Sequence, residues 1–427
     1  MPVAAPGMGV SDPRRAFLLQ LMCRALAAVD GRRCMRRALA QPTHAAETRV
    51  LAVGKAASAM TLGALDALGP SLTRALVISR AGHFDAELSR HPVVTCMTGG
   101  HPLPDSGSLA AGRAALDFAR EVPAGGRVLL LVSGGASSLL EVPRVGVTLE
   151  DLARVNAWAL ASGRAIDEVN ALRRALSAVK GGRLLHFFRH AAPEGYALSD
   201  VPGDDPAVIG SGLLAATAAT GQLPSGLPDW LQGLVAAGAA APVVTGSCPV
   251  SVVGRLDDAL DAAAGAAVEA GLDVVRHRDR LKGDATAAAA AFCARALAEP
   301  AGLHLAGGET TVQLPAVTGR GGRNQHFALA AARCLRGRGD LLLLAVGSDG
   351  TDGTTEDAGA LVDGATLRRA EAAGLDPDEH LRRADSGTLL AATGDLVHTG
   401  PTGTNVGDLV FLLSCVTGHG ALSSIER

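Results

Sequence analysis

Short apolar runs, several closed by a glycine-rich polar loop, constrain this chain more than any other feature. Val50–Val53, Ala75–Ile78, Val128–Val132, Tyr196–Leu198, Val250–Val253, Leu341–Val346 and Leu409–Leu413 have the length and apolar density of buried strands. Between several of them lie longer segments with a helical period: Leu109–Ala119, Leu149–Leu160 and Asp284–Leu297. Such alternation predicts an α/β fold with a largely parallel sheet. Gly302–Pro315 alternates and contains Thr and Val, so it reads as a hairpin that would make the C-terminal sheet mixed.

A chain of 427 residues is long enough for two or three domains. Gly210–Pro242 is rich in Ala, Gly and Pro and thin in charge. It reads either as a junction, giving domains at 11–243 and 244–427 behind a disordered tail at 1–10, or as one more helical layer. Composition then excludes function classes. Aromatics are only 3%, too few for base-stacking platforms, and a net charge of −3 gives no electrostatic case for nucleic acid or a membrane surface. No apolar run reaches the roughly 20 residues that a spanning helix needs. The cysteines, at 23, 34, 96, 248, 293, 334 and 415, form no CxxC pair and are odd in number, which fits a reducing, cytoplasmic compartment.

Three loops directly follow strand candidates: VGKAAS from Val53, VSGGASS from Val132 and LSDVPGDD from Leu198. In open α/β sheets, ligands bind beyond the carboxyl ends of strands. Lys55 sits at a strand-to-helix turn, where an ammonium and main-chain N–H groups can meet an anion. The turn is not a Walker A loop, which would need Gly at Arg49 and Ser or Thr at Ala56. Ser133, Gly134, Gly135, Ala136, Ser137 and Ser138 offer consecutive N–H groups and three hydroxyls to a phosphate or carboxylate. No final Gly completes a nucleophile elbow there, which argues against a serine hydrolase.

Asp200, Asp204 and Asp205 stand on the third loop, and Asp349 and Asp352 follow the most hydrophobic strand candidate. Strand-end carboxylates can hold Mg²⁺ or accept a proton from a hydroxyl. Arg320 and Arg323 lie among glycines, and an arginine fork suits a phosphate or carboxylate. The Gly319-x-Gly321-Gly322 run does not satisfy the dinucleotide fingerprint. His186 and His190 share a helical face but lack the glutamate of HExxH, and His83, His91 and His101 lie in loops without metal-ligand spacing. For each loop taken alone, an ordinary turn or a solvated charge is the competing reading; their coincidence points to phosphoryl transfer on a small substrate.

In order, VGKAASAM, GGHPLPDSGS, NALRRALSAVKGGRL, LSDVPGDDPAVIGSG, GGETTV, GRGGRNQ, GSDGTDG and TGPTGTNVGDL resemble the class II glycerate 2-kinases, the family with a MOFRL domain. Some of its members carry the label hydroxypyruvate reductase. The resemblance implies two three-layer α/β domains, an N-terminal Rossmann-like parallel sheet and a C-terminal mixed sheet, with the active site in the interdomain cleft. It implies a cytoplasmic monomer or homodimer that phosphorylates D-glycerate at the 2-hydroxyl with ATP and Mg²⁺. The family's active-site lysine falls on Lys55 and its arginine on Arg323. On that reading Asp200 is the base or a metal ligand, and Asp349 and Asp352 are further metal candidates. Glu309, the Ser133–Ser138 loop and Thr402, Gly403, Thr404 and Asn405 would cradle substrate and phosphate. Three positions depart from the family pattern: Ala175 replaces a His, Leu213 a Pro and Ser348 a Thr. A nicotinamide-dependent reductase and an inactive binding module are the rival readings.

Overall fold

The computed structural model describes residues 12–40, 47–162, 166–215, 223–239 and 248–414. The expected tail at 1–10 and boundary at 243/244 lie outside the described residues. The chain forms two compact units. One comprises Asp30–Arg255 with Gly403–Asn405; the other combines Leu256–Thr402 with the chain before Asp30 and after Asn405.

The first unit is built on six strands: β1 (Thr48–Val53), β2 (Leu72–Ser79), β3 (Val94–Thr98), β4 (Arg127–Val132), β5 (Ala192–Leu198) and β6 (Val250–Gly254). Every pairing is parallel, in the order β3-β2-β1-β4-β5-β6. The order reverses between β1 and β4, the switch point of a doubly wound sheet. Val53 pairs in register with both Ile78 and Val132, and Val132 with Ala197. The loops leaving β1, β4 and β5 therefore emerge together at one edge.

Helices cover both sheet faces because the strands are apolar on both. On one face Leu51, Val53, Leu130 and Val132 pack with Ala111, Ala115 and Phe118 of helix Ser106–Glu121. Asp105 caps that helix, accepting from the Ser108 N–H at 2.9 Å. On the other, helix Ala57–Leu68 lies against β1, β2 and β4 and packs on helix Gly31–Ala38. A separate helical cluster joins Leu152 and Val155 of helix Leu149–Ala161, Leu172 and Leu176 of helix Ile166–Leu176, and Leu231 and Val235 of helix Asp229–Ala239. The described part of Gly210–Pro242 thus supplies a helical layer.

The second unit holds β7 (Val274–Arg276), β8 (Leu281–Asp284), β9 (Leu303–Thr311), β10 (Leu341–Gly347), β11 (Gly359–Asp363), β12 (Leu396–Val397) and β13 (Asp408–Ser414). The order is β12-β11-β10-β13-β9-β7, with β8 also on β9. The pairs β10–β11, β10–β13, β11–β12 and β13–β9 are antiparallel, whereas β7 and β8 run parallel to β9, so the sheet is mixed. The hairpin expected at Gly302–Pro315 is one strand instead: β9 runs unbroken to Thr311. Its Gly-Gly pair marks close backbone approach, not a turn. A Cβ on Gly308 would sit 2.2 Å from the Leu281 carbonyl oxygen of β8.

Every residue of β10 is buried. Leu341, Leu343 and Ala345 pack with Phe292 and Phe327 of helices Ala285–Ala298 and Arg323–Leu335. Leu342 and Leu344 point to the opposite face by the strand's twofold period. Helix Pro13–Ala28 contacts β10 and β13 and packs along helix Leu256–Glu269, which in turn contacts β9. This helix therefore groups with strands made far later in the chain. Its Leu18, Leu21, Met22 and Ala25 are fully buried.

Arg15 locks that helix in place. Its guanidinium donates to Asp363 Oδ2 (2.9 Å), the Leu361 carbonyl (2.8 Å) and Asp395 Oδ1 (3.0 Å). Arg369 also binds Asp395, at 2.7 Å, so that carboxylate would keep one cation if Arg15 were lost. Arg15→Ala is expected to cost about 2 kcal/mol, below the usual loss for an orphaned buried pair. Urea unfolding should show a lower midpoint with little change in slope; unchanged stability would contradict this anchoring role.

Candidate active site

At the switch point, main chain meets main chain. Gly54 has φ 132°, and a Cβ there would lie 2.2 Å from Ser133 Oγ. That contact lets the Lys55 N–H donate to the Gly134 carbonyl (2.9 Å) and the Ala56 N–H to Ser133 Oγ (3.0 Å). Ser133 is therefore a fully buried brace for the loop. Gly135, at φ 86°, opens toward the Lys55 side chain, whose Cγ would be 3.3 Å from an added Cβ, and toward His101.

Gly134 is the tightest position. An added Cβ would fall 1.9 Å from Asn405 Nδ2 and 2.0 Å from Asp200 Oδ2. Asn405 Nδ2 itself donates to Asp200 Oδ2 at 3.3 Å. Asn405 arrives on a three-residue return of the chain, held where the Gly31 N–H donates to the Gly403 carbonyl (3.1 Å). The fold thus brings together Lys55, Gly134, Gly135, Asp200 and Asn405 from four separated segments. The neighbouring carboxylates of that loop are occupied elsewhere: Asp204 faces Arg255 at 3.4 Å, and Asp205 accepts the Ala207 N–H at 2.9 Å.

Ser137 and Ser138 extend the group. Ser138 Oγ is hydrogen-bonded to His101 Nδ1 at 3.0 Å, and Ser137 Oγ to Ser211 Oγ at 2.8 Å. Ser211 Oγ donates to Asn170 Oδ1 at 3.3 Å, and Arg173 donates to the same oxygen at 3.4 Å. The helix after Gly135 is a single turn, Ala136–Leu139, too short for a substantial macrodipole. Side-chain cations must therefore carry most of an anion's charge here.

The segment NALRRALSAVKGGRL is cationic, and its Arg173 is linked to this group through Asn170 and Ser211. Lys180 is fully buried and paired with Glu141. Burial pulls the Lys180 pKa below its ordinary value although Glu141 opposes the shift. Burial lowers Arg183 to about 10, helped by repulsion from Arg144 and Arg174. His101, Asn170 and Ser211 are not among the site residues expected from sequence; the only signal is that each lies in one of the polar motifs GGHPLPDSGS, NALRRALSAVKGGRL and LSDVPGDDPAVIGSG.

In the second unit, strand register builds a comparable edge. Asp408, the first residue of β13, pairs with both Gly347 at the end of β10 and Gly308 in β9. Its carboxylate takes a bidentate fork from Arg323, 2.6 Å from Nε and 3.0 Å from Nη2, and accepts from Asn324 Nδ2 at 3.0 Å. Glu309, one residue past Gly308, meets Arg323 Nη1 at 2.9 Å. Burial works against the Arg323 charge, but Asp408 and Glu309 outweigh it and hold its pKa above the ordinary value. Asp408 is another residue the sequence reading left out of the site; the signal was an acid opening an apolar strand.

The loop after β10 packs on the loop before β13. Ser348 Oγ accepts the Val406 N–H at 2.8 Å, the Thr402 N–H donates to the Asp349 carbonyl at 3.4 Å, and an added Cβ on Gly350 would lie 2.0 Å from the Gly400 carbonyl. Ser348 therefore acts through a hydroxyl, which the expected Thr also carries. Leu213 is buried in the apolar core and Ala175 packs against the helical cluster. Thr404 and Asn405 are buried.

Asp349 Oδ1 accepts the Thr351 N–H at 3.0 Å. Asp352 is committed to the start of helix Arg323–Leu335, accepting the Asn324 N–H (3.0 Å) on one oxygen and the Gln325 N–H (2.8 Å) on the other. A metal would compete with both bonds. A broad depression lined by Arg320, Asp357, Arg383, Asp385 and His398 also lies in this unit and does not include Arg323 or Glu309.

Family models match this chain as a domain of unknown function (DUF4147) over residues 17–224 and as the MOFRL family over residues 302–408. A D-glycerate 2-kinase of Thermotoga maritima is 35% identical over 382 residues, spanning 84% of this chain and 89% of that protein. An Agrobacterium vitis relative named as a hydroxypyruvate reductase is 39% identical over 384 residues, spanning 85% and 98%. The crystal structure of the Thermotoga maritima glycerate kinase aligns with a TM-score of 0.79 at 31% identity, covering 94% of this chain and 99% of that one.

Asp352 makes a pH-dependent contribution to stability. Burial raises its pKa to about 7, against the pull of the helix N–H groups and with help from Asp408. The folded carboxyl thus binds its proton more tightly than the unfolded one, whose value is near 3.8. Its contribution is greatest below the unfolded pKa and declines as pH rises to about 7, by up to about 4 kcal/mol. In EDTA, the stability of wild type relative to Asp352→Asn should fall between pH 4 and 8; a flat difference would refute the buried, proton-binding carboxyl.

Proposed function

The chain belongs to the glycerate 2-kinase family, and on that premise we propose that it transfers the γ-phosphoryl group of ATP to the 2-hydroxyl of D-glycerate, with Mg²⁺ as the metal. The observation that carries this reading is the meeting of Lys55, the Gly134–Gly135 turn, Asp200 and Asn405 at the ends of adjacent parallel strands. Phosphoryl transfer needs positioned cations and main-chain donors more than covalent chemistry. That edge offers both.

In this mechanism Asp200 accepts the proton of the glycerate 2-hydroxyl. The freed oxygen forms the new P–O bond as the bond from the γ-phosphorus to the bridging oxygen breaks, releasing ADP. Asn405 orients Asp200 through its amide. Lys55 neutralises charge on the transferred group. We propose that the same turnover uses Arg323, which the Asp408 fork holds in a fixed orientation. Glu309 is the more exposed partner of Arg323 and would be the one displaced by an arriving anion. Asp352 is disfavoured as a Mg²⁺ ligand, because both of its oxygens accept main-chain hydrogen bonds, and with Asp200 assigned to the proton Asp349 is the carboxylate proposed for the metal. The metal would supply charge neutralisation on the nucleotide phosphates.

The strand order also suits dinucleotides, which keeps the reductase reading in view. The turn after β1 argues against it: Ala56 and Ala59 stand where GxGxxG from Gly54 requires glycine. Turnover with D-glycerate, ATP and Mg²⁺, coupled directly to enolase without a mutase, tests the proposal. An enolase signal is expected. ADP release without it would mean phosphorylation at the 3-hydroxyl or bare ATP hydrolysis, and oxidation of NADH or NADPH by hydroxypyruvate in place of kinase turnover would establish the reductase. Lys55→Ala and Arg323→Ala should each lower kcat/KM by roughly 10²–10³-fold. A combined loss well short of the product of the two would mark residues acting on one reacting group. Full activity in either folded single variant would remove that residue from the mechanism.

A further inference from the structure

At the other end of β9 from Glu309, His277, Glu299 and His304 gather in the second unit. His277 directly follows edge strand β7, His304 lies within β9, and Glu299 is the C-cap of helix Ala285–Ala298. The pairing of β7 with β9 sets Val275 opposite His304, so register brings the two rings to one end of the pair. Their facing nitrogens, His277 Nε2 and His304 Nδ1, are 3.3 Å apart, and both residues are buried. Glu299 Oε2 lies 4.0 Å from His304 Nδ1, on a side chain that is about one-third exposed and able to move.

The other nitrogen of His304 settles its tautomer. Nε2 lies 3.1 Å from the Pro300 carbonyl, which can only accept, so Nε2 carries the proton and Nδ1 presents a lone pair to His277 and Glu299. A backbone carbonyl behind an imidazole is the usual support for a metal-ligating histidine. Burial pulls both imidazoles below their ordinary pKa, which favours the neutral, ligating form. Two imidazole nitrogens on a tetrahedral zinc, at bonds of roughly 2.0–2.1 Å, lie about 3.3 Å apart. The observed separation therefore suits a shared metal as well as a shared proton, and the candidate ligand atoms of Glu299 and both imidazoles all lie within 4.8 Å of one another, close enough for a His₂Glu set.

We propose that His277, Glu299 and His304 form a binding site for zinc or a similar late first-row divalent ion, with a water as fourth ligand. On binding, the proton between the rings moves to His277 Nδ1, and Nε2 becomes a ligand. Imidazole ligands select such ions over Mg²⁺, so this site is separate in chemistry from the carboxylates proposed for catalysis. A bound ion would clasp edge strand β7 to β9 and to the end of helix Ala285–Ala298.

The test is thermal unfolding and cobalt(II) spectroscopy of the metal-stripped full-length protein. One equivalent of Zn²⁺ should bind, and at a hundredfold excess over Kd the midpoint should rise by about 3 °C. Mg²⁺ at the same concentration should neither reproduce the shift nor displace zinc. Co²⁺ should give the visible bands of a tetrahedral nitrogen–oxygen site without thiolate charge transfer, which separates it from the cysteines. Glu299→Gln, a partly exposed change expected to fold, should weaken zinc at least tenfold, and His277→Gln should abolish the site. Absence of binding to wild type, a thiolate spectrum, displacement by Mg²⁺, or equal zinc affinity in wild type and Glu299→Gln would each overturn the proposal. The wild-type spectrum decides the matter even if the histidine variant misfolds.

Discussion

Glycine backbone pressed against the backbone and side chains of neighbouring segments is the constraint on which the rest of this protein depends. Gly54 touches Ser133, Gly134 touches Asp200 and Asn405, Gly308 touches Leu281, and Gly322 touches Asp352. A methyl at any of these positions would overlap a neighbouring atom by about an ångström or more. Their absence lets loops from distant segments close on one another, and so gathers the polar groups named above. The glycines thus act by occupying nothing.

The two units solve the same problem with different connectivity. In the parallel unit, adjacent strands deliver their outgoing loops to one edge because all point the same way. In the mixed unit, the start of β13 lies level with Gly347 and Gly308, so antiparallel register does the work. There the cation is held in advance: Arg323 spans Asp408, which is nearly buried, and Glu309, which is half-exposed. A guanidinium fixed on one side and loosely countered on the other can exchange the weaker partner for an anion with little reorganisation.

What the sequence made legible follows from how local the signal was. β1, β4, β10 and the loops after them could be read because an apolar run ending in glycine is a local pattern. Helix Asp284–Leu297 was read to within a residue or so for the same reason. The grouping of helix Pro13–Ala28 is not legible locally because its partners, Asp363, Asp395 and β10, lie hundreds of residues away. The hairpin expectation at Gly302–Pro315 failed because alternation with Thr and Val marks extended chain and does not say whether it turns back. His101, Asn170, Ser211 and Asp408 carry no local pattern that marks them until the fold gives them partners. The roles of Lys55 and Arg323 came from resemblance, and the structure adds their surroundings: a main-chain brace for one and an acid fork for the other.

The chain enters the second unit with its first helix, leaves at Val29, returns at Leu256, and lends Gly403–Asn405 back to the first. In topological terms the parallel-sheet unit is an insertion within the mixed one, and the mixed one donates a finger in return. Order of synthesis then matters. The earliest helix leaves the ribosome long before the strands it must cover, and Asp200 is made well before the Asn405 that orients it. Neither half can be cut out as a continuous fragment without losing a piece of its own core or of its own site, so this enzyme is one folding transaction rather than two modules in tandem.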